Sequence, residues 1–261
     1  MPAAAPSPLA RADLLAALRG TPALRPAVDR NVAGGLRAWL EDGIFEQLGV
    51  PGRGAVRLST RSVTGSPSVA SMTSLLRGAL VAQLVRLQVA GQRIDDPFDD
   101  ASCALAASGR NDDLVTMLVD LDTEDHARLA AEVQAHYAIL DVHLASIPSR
   151  WSPRCGVRQA IPLAGGGVEL RGHVDVALGE PGSSRACVCL LEVTTSVLEA
   201  RHEAVLSYLA LLETLRAGEP PLRVAALSTS DGAFVTRDAT PELLAGAVAG
   251  VLSALGAVSA Q

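Results

Sequence analysis

The chain has 261 residues, of which 49% are hydrophobic, so it is not a wholly disordered protein and can form one sizeable α/β domain with a helical addition. Its formal net charge of −6 disfavours broad electrostatic binding to nucleic acid, because such binding normally uses a basic face. All 22 basic residues are arginines, so a phosphate-binding site would depend on a local group of arginines.

Cysteine usage and the N-terminal segment predict a cytoplasmic protein. The four cysteines form neither a C-x-x-C pair nor the framework of a small secreted chain, which favours reduced thiols. The segment Met1–Pro8 lacks the basic region and apolar core of a signal peptide. No apolar run reaches the roughly 18 residues that span a membrane, so we expect no membrane association.

The N-terminal region is predicted to be helical. A Pro/Ala-rich tail, which we expect to be mobile, precedes a helix over Ala10–Arg19. A second helical stretch runs from Val28 to Leu48, and we interpret its Trp39 and Phe45 as core residues. The segment 55–63 fits either a short strand or an arginine-bearing loop.

Helices also dominate residues 68–147. An apolar stripe predicts a long helix from Ser68 to Gly91, in which Gln83 is either a surface residue or an amide ligand to a metal ion. A further helix from Thr123 to Ile147 carries three histidines. We interpret them as surface residues because no H-E-x-x-H zinc motif is present. These histidines are His126, His136 and His143.

A strand pair follows, in which two acidic residues are predicted to meet. Residues 170–177 and 187–194 alternate with the period of two that is typical of strands. The segment Gly179–Arg185 between them is rich in turn-forming residues and is predicted to close an antiparallel pair. This pairing brings together Asp175 of the first strand and Glu192 of the second.

Two converging carboxylates in apolar strands repel each other and lose hydration, so they persist where a proton or a cation compensates them. Mg²⁺ is commonly held by one or two carboxylates with substrate phosphate and water, and it can polarise a phosphodiester and activate water. The alternative is that Asp175 and Glu192 lie at a solvent-exposed strand end, because charged residues are mostly exposed.

The chain after the strand pair continues an α/β pattern. An amphipathic helix is predicted from Val197 to Ala217, with His202 and Glu213 among its water-facing residues. A buried strand, a short strand and a last helix that runs to about Leu255 follow.

The acidic segments Gly172-His-Val-Asp175 and Glu192-Val-Thr194-Thr-Ser196 resemble two strand motifs of the PD-(D/E)XK nuclease superfamily, "G-R-I-D" and "(D/E)-x-K-T-G". The similarity is to its RecB-type exonuclease branch in particular. Leu76-Arg-Gly-Ala-Leu-Val-Ala82 resembles the first-helix motif "R-G-T-x-x-H". Tyr208 lies where a "Q-x-x-x-Y" helix places its tyrosine. The resemblance covers roughly residues 70 to 255.

The resemblance implies a fold and a set of site residues. It implies a PD-(D/E)XK core, a mixed sheet flanked by helices, over residues 68–261, preceded by the mobile tail and helical N-terminal region over residues 1–67. No iron–sulfur cluster is expected, because the chain has no C-terminal cysteine cluster. The implied metal ligands for Mg²⁺ or Mn²⁺ are Asp175 and Glu192, and the implied contacts to DNA or RNA are Arg77 and Tyr208.

Three positions depart from the family pattern. Thr194 replaces the lysine, Ala82 replaces the first-helix histidine, and Ala204 replaces the glutamine of the later helix. The chain has no lysine, so Arg171, or less favourably His173, is expected to supply the missing charge at the catalytic site, while Thr194 orients water.

The predicted function is divalent-metal-dependent hydrolysis of phosphodiesters in nucleic acid at an altered nuclease site. The alternative is a catalytically inactive pseudo-nuclease that serves as a structural or partner-binding subunit, which the lost lysine and histidine favour. A third alternative is metal-assisted chemistry on a small molecule by the two acids and His173.

Overall fold

The structure, a computed structural model, describes residues 8–20, 25–54, 56–65, 71–109, 111–145, 147–182 and 185–259. The first seven residues of the predicted tail and the predicted domain boundary at 67/68 lie outside these ranges. The helices are α1 (Pro8–Arg19), α2 (Asn31–Leu48), α3 (Thr60–Thr64), α4 (Met72–Val89), α5 (Pro97–Ala107), α6 (Asp112–Val119), α7 (Thr123–Leu144), α8 (Ala200–Ala217) and α9 (Pro241–Ser259). The strands are β1 (Val56–Ser59), β2 (Arg154–Leu163), β3 (Val168–Leu178), β4 (Cys189–Thr194), β5 (Arg223–Ser228) and β6 (Phe234–Asp238).

The strands form one six-stranded mixed sheet. β2 and β3 pair antiparallel over nearly their whole length. On the other edge of β3, β1 runs parallel to its first part and β4 runs antiparallel to its last part. β5 is parallel to β4 and antiparallel to β6. One face of the sheet is covered by α2, α8 and α9, and the other by α1, α4, α5 and α7. The predicted α/β class with a mixed sheet flanked by helices is therefore confirmed.

β1 and β4 leave a gap along the edge of β3 that they share. β1 pairs with residues 168–171, and β4 pairs with residues 176–178. Residues 172–175 lie between the two pairings, and no described strand pairs with them on this edge. We call residues 172–175 the fork. Gly172 and Val174 face the core beneath α8, so His173 and Asp175 lie on the opposite face of β3.

The N-terminal region is part of the same sheet and core. Val56 of β1 pairs with Val168 of β3, and the buried side chains of α2 belong to the hydrophobic core that also contains α8 and α9. Residues 31–54 and 56–59 are therefore integral to the α/β domain.

The buried face of α2 differs from the predicted one. Trp39 and Phe45 are 46% and 43% exposed, so the prediction that they are core residues is wrong. Gly43 determines the face that packs on α9, because a Cβ at this position would lie 2.7 Å from a methyl carbon of Leu252. The residues buried on α2 are Leu36, Leu40, Gly43 and Ile44.

α9 is long and apolar enough, by length and composition, to cross a membrane, with a mean hydropathy of 1.7. This corrects the prediction that no apolar run reaches that length. However, Leu244, Val248, Val251 and Leu255 are buried in the core shared with α2 and α8. α9 therefore packs one face against this core, and 28% of its apolar window is buried.

α8 buries two polar residues that the sequence pattern places in water. His202 is 7% exposed and Glu213 is 1% exposed, so the predicted water-facing position is wrong for both. Glu213 accepts hydrogen bonds from Arg216 Nε at 2.8 Å and from Gln159 Nε2 at 2.7 Å. These partners compensate the buried carboxylate.

Two of the three histidines of α7 are buried, so the prediction of surface residues is wrong for them. His136 is 8% and His143 is 0% exposed, whereas His126 is exposed. His136 Nδ1 lies 2.8 Å from the Thr229 carbonyl oxygen, and the ring of His143 meets Phe234 edge to face. Burial is the largest cause that lowers the pKa of both buried histidines below the ordinary value of 6.5.

These histidines are expected to make the fold less stable in mild acid. A lowered folded-state pKa means that the unfolded chain binds more protons, so the stability present above pH 6.5 is lost as the pH falls through the folded pKa. One such histidine contributes at most about 1.4 kcal/mol at about pH 5.5.

Urea denaturation tests this expectation with His143→Leu. When the pH is lowered from about 7.5 to 5.5, the unfolding free energy of this variant should fall by less than that of the wild type. The matched change of exposed His126 to leucine should leave the loss unaltered, and an unaltered loss in His143→Leu would contradict the prediction.

Candidate functional site

Asp175 and Glu192 are neighbours across β3 and β4. The antiparallel register ends with Val176 opposite Leu191, and its extension by one residue places Asp175 opposite Glu192. The Val193 N–H donates a hydrogen bond to Asp175 Oδ2 at 2.8 Å, which joins the two strands at the fork. The structure thus brings together the two acids of the predicted strand pair.

Both carboxyl groups are shielded from water. The Asp175 side chain is 17% exposed, and burial raises its pKa against the opposing effects of the Val193 N–H, His173 and Arg86. Burial, and then the charge of Asp175, raises the pKa of Glu192 well above its ordinary value. Glu192 Oε2 is buried and has no hydrogen-bond partner in the described part of the chain. The pair therefore favours an added proton or cation.

Gly156 gives two basic side chains access to Asp175. It follows Cys155 in β2, lies opposite Asp175 by the β2–β3 register, and has a φ of +65°. A Cβ at this position would lie 3.4 Å from Arg86 Nη2 and 3.7 Å from His173 Nε2. His173 Nδ1 lies 3.5 Å from Asp175 Oδ1, and the His173 side chain is 43% exposed. A half-exposed imidazole thus borders the buried carboxylates.

Arg86 of α4 is a cation of this site that sequence analysis missed. Its charge lowers the pKa of Asp175 against the dominant effect of burial. Arg86 Nη1 donates to Gln83 Oε1 at 3.2 Å, and Gln83 is only 5% exposed, so Gln83 is not a surface residue. The sequence did contain a sign of this pair. Gln83 and Arg86 are three residues apart, so they lie on one face of an otherwise apolar helix.

Arg171 does not reach the carboxylates. Its guanidinium pairs with Glu169 on the same strand, and its side chain is 51% exposed. It precedes Asp175 by four residues, which is about 13 Å along a strand. The structure therefore does not place Arg171 beside the carboxylates as predicted, and the arginine whose charge lowers the pKa of Asp175 is Arg86.

Thr194 lies on the same side of β4 as Glu192, but its hydroxyl has local partners. Thr194 Oγ1 lies 2.9 Å from Ser196 Oγ and accepts from the Ser196 N–H at 3.2 Å. The Thr194 carbonyl oxygen accepts from the Thr229 N–H at 2.8 Å. These contacts fix the end of β4, and a water molecule would have to share the hydroxyl with Ser196.

Arg77 and Tyr208, the predicted nucleic-acid contacts, both have protein partners. Arg77 Nη1 lies 2.8 Å from Glu132 Oε2, and the Arg77 side chain is 24% exposed. Tyr208 is fully buried, with its hydroxyl 3.3 Å from the Leu58 carbonyl oxygen and 3.1 Å from that of Arg171. Burial excludes contact with nucleic acid, so the prediction is wrong for Tyr208, which instead joins α8 to β1 and β3.

The donor set at the fork suits a hard divalent cation. The described residues contain no group of three or more His, Cys, Asp or Glu side chains placed to hold a metal ion. Asp175 and Glu192 form a two-carboxylate set, which is enough for Mg²⁺ or Mn²⁺ because such ions keep several water ligands. The unpartnered Oε2 of Glu192 fits this arrangement, since a buried carboxylate oxygen needs a donor or a cation.

Comparisons with known proteins leave the site geometry as the basis for a function. No family model matches the sequence, and no curated protein matches it. A crystal structure of a protein named SSO0001 is similar over 84% of this chain and 84% of that chain, with 10% sequence identity and a TM-score of 0.33.

Proposed function

We propose that this chain is a PD-(D/E)XK-type domain, similar to the RecB-type exonucleases, that hydrolyses phosphodiester bonds of nucleic acid with a divalent metal ion. The observation that carries the proposal is the half-buried pair of Asp175 and Glu192 at the fork. One oxygen of this pair lacks a partner, and the pKa values of both carboxyls are raised, chiefly by burial. The mixed sheet flanked by helices supports it.

Asp175 and Glu192 would hold Mg²⁺ or Mn²⁺, which when bound polarises the phosphodiester and activates water. The Val193 N–H donates a hydrogen bond to Asp175 and orients its carboxylate. Glu192 Oε2 has no partner in the described residues and is available to the ion. Arg86 supplies positive charge beside the pair in place of the family lysine. His173, half exposed at the mouth of the site, is placed to give a proton to the leaving oxygen.

The proposal is tested by cleavage of end-labelled single- and double-stranded DNA and RNA with Mg²⁺ or Mn²⁺. Asp175→Asn and Glu192→Gln should each lower the rate about 10²–10³-fold in folded protein. Arg86→Met should lower kcat, whereas the matched change Arg171→Met should leave kcat unchanged because Arg171 pairs with Glu169 instead. Retained metal-dependent cleavage in both carboxylate variants would contradict the proposal.

A second candidate is a pseudo-nuclease that binds a protein partner. The observations that favour it are the engagement of Arg77 by Glu132 and the large apolar side chains that α2 exposes, including Trp39 and Phe45. Metal binding separates the two candidates. A true metal site should add about 2.7 kcal/mol to the unfolding free energy when the ion is present at about 100 times its Kd. Neither cleavage nor this stabilisation is expected of the pseudo-nuclease.

A further inference from the structure

A large cavity lies away from the fork, at the opposite end of β4 and β5 from Glu192. Its volume is about 1230 Å³. Its walls come from α1, residues 25–32, residues 148–151, residues 220–223 and the start of α9. Sites for small molecules are commonly concave, mostly apolar and of about 300–1,000 Å³, so the space is enough for a drug-sized compound.

Much of the cavity wall is apolar and rigid. Trp151 supplies an aromatic ring, and Leu222 supplies an aliphatic side chain from the segment before β5. Proline rings, which have few conformations to lose on binding, line four separate parts of the wall. These prolines are Pro26, Pro148, Pro220, Pro221 and Pro241. The wall therefore fits a flat apolar or aromatic body.

The charged residues of the lining are mainly cationic, although the chain as a whole is acidic. Four arginines line the cavity against two aspartates, Asp29 and Asp238. Arg223 is already paired with Asp238, Nε to Oδ1 at 2.6 Å. The other three arginines form no salt bridge with any described acidic side chain. They are Arg19, Arg25 and Arg150.

Arg25 has a buried donor without a partner. Its Nη2 donates to the Arg19 carbonyl oxygen at 3.0 Å, but its Nε is buried and has no hydrogen-bond partner in the described residues. A buried N–H of a charged group is costly to leave unpaired. Because this Nε is shielded from solvent, an anionic group in the cavity would be attracted by the positive charge of the Arg25 guanidinium and would not bond to Nε directly.

We propose that this cavity binds a small organic anion. The apolar or aromatic body of the ligand packs against Trp151 and the proline rings, and its carboxylate, sulfonate or phosphate group pairs with Arg25 and Arg150. The site is separate from the carboxylates at the fork, and the proposal does not depend on nuclease activity.

The sequence has two tryptophans, Trp39 and Trp151. The experiment uses the full chain carrying Trp39→Phe, so that Trp151 is the only tryptophan that remains. The probe is 8-anilinonaphthalene-1-sulfonate, an aromatic sulfonate, and the readout is the quenching of Trp151 with energy transfer to the probe. We expect one saturable site. Arg25→Met should weaken binding about ten-fold or more, because a charge-assisted hydrogen bond is lost.

A second cavity variant and two controls keep the test decisive. Arg150→Met changes an exposed side chain, so it tests the charge requirement without touching the contact between Arg25 and Arg19. Arg93→Met removes an exposed arginine that pairs with Asp95 outside the cavity and should leave affinity unchanged. The uncharged N-phenyl-1-naphthylamine should bind at least about ten-fold more weakly. Equal binding of the charged and uncharged probes, or unchanged affinity in both cavity variants, would overturn the proposal.

Discussion

Glu192→Gln is expected to raise the unfolding free energy at neutral pH by roughly 1–3 kcal/mol. The wild-type carboxylate is buried beside Asp175, and its Oε2 has no hydrogen-bond partner in the described chain. Glutamine keeps the shape of the side chain but carries no charge to desolvate, and it does not repel Asp175. A site residue that costs stability in this way is typical of functional sites, where activity and stability are in conflict.

The gain from Glu192→Gln should depend on pH in a defined direction. The pKa of Glu192 is raised on folding, so between its ordinary value of 4.5 and its folded value the folded chain binds more protons than the unfolded chain. Wild-type stability from this group is therefore present below pH 4.5 and is lost as the pH rises. Urea denaturation should show almost no difference between the proteins near pH 4.5 and an increasing advantage of the variant above it.

Glu213 provides a matched control with the opposite sign. It is 1% exposed and so more deeply buried than Glu192, but Arg216 and Gln159 donate hydrogen bonds to its carboxylate. Glu213→Gln should lower the unfolding free energy by roughly 1.5–3 kcal/mol, because a charge-assisted contact is lost. A loss of stability in both variants would contradict the view that the Glu192 charge is uncompensated in the metal-free protein.

Gly172→Ala is expected to lower the unfolding free energy by about 1–3 kcal/mol. Gly172 is the first residue of the fork and lies beneath α8. A Cβ at this position would lie 2.3 Å from Leu212 Cδ1 and 3.4 Å from Leu209 Cδ2, both in the buried core. Leu212 is fully buried, so it can move away only by displacing its neighbours.

Two further variants test this reason. Gly78→Ala is the same substitution on α4, where a Cβ would meet nothing within 4 Å, and it should stabilise the protein by about 0.5–1 kcal/mol. In a Leu212→Val background, which lacks the Cδ1 atom, the cost of Gly172→Ala should shrink. A similar effect of both glycine substitutions in chemical denaturation would show that contact with α8 is not the cause.

The meeting of Asp175 and Glu192 was predictable because it depends on local rules. Strand alternation places each side chain, and the turn-rich segment between the strands limits how they can pair. The cation that acts on Asp175 was not predictable in this way. Arg171 is closer to Asp175 in sequence, but it forms an ion pair with Glu169 two residues away. Arg86, whose charge acts on Asp175, belongs to α4, a helix that packs on the sheet.

The other errors have the same origin in tertiary contacts. The apolar character of Trp39 could not predict that its side chain is exposed on α2. The buried face of α2 depends on the close contact between Gly43 and Leu252 of α9. Similarly, the burial of His143 depends on the distant Phe234, which no sequence pattern of α7 contains.

The shared edge of β3 has a consequence for the order of assembly. β2 and β3 are consecutive in the sequence and form a hairpin. β1 precedes β3 by more than 100 residues, and long-range pairings of this kind form slowly. Until β1 arrives, residues 168–171 present unpaired backbone groups to solvent, which is a template for association between chains. A fragment that began at residue 68 would keep this edge open permanently. β1 therefore protects the molecule against aggregation as well as bounding the fork.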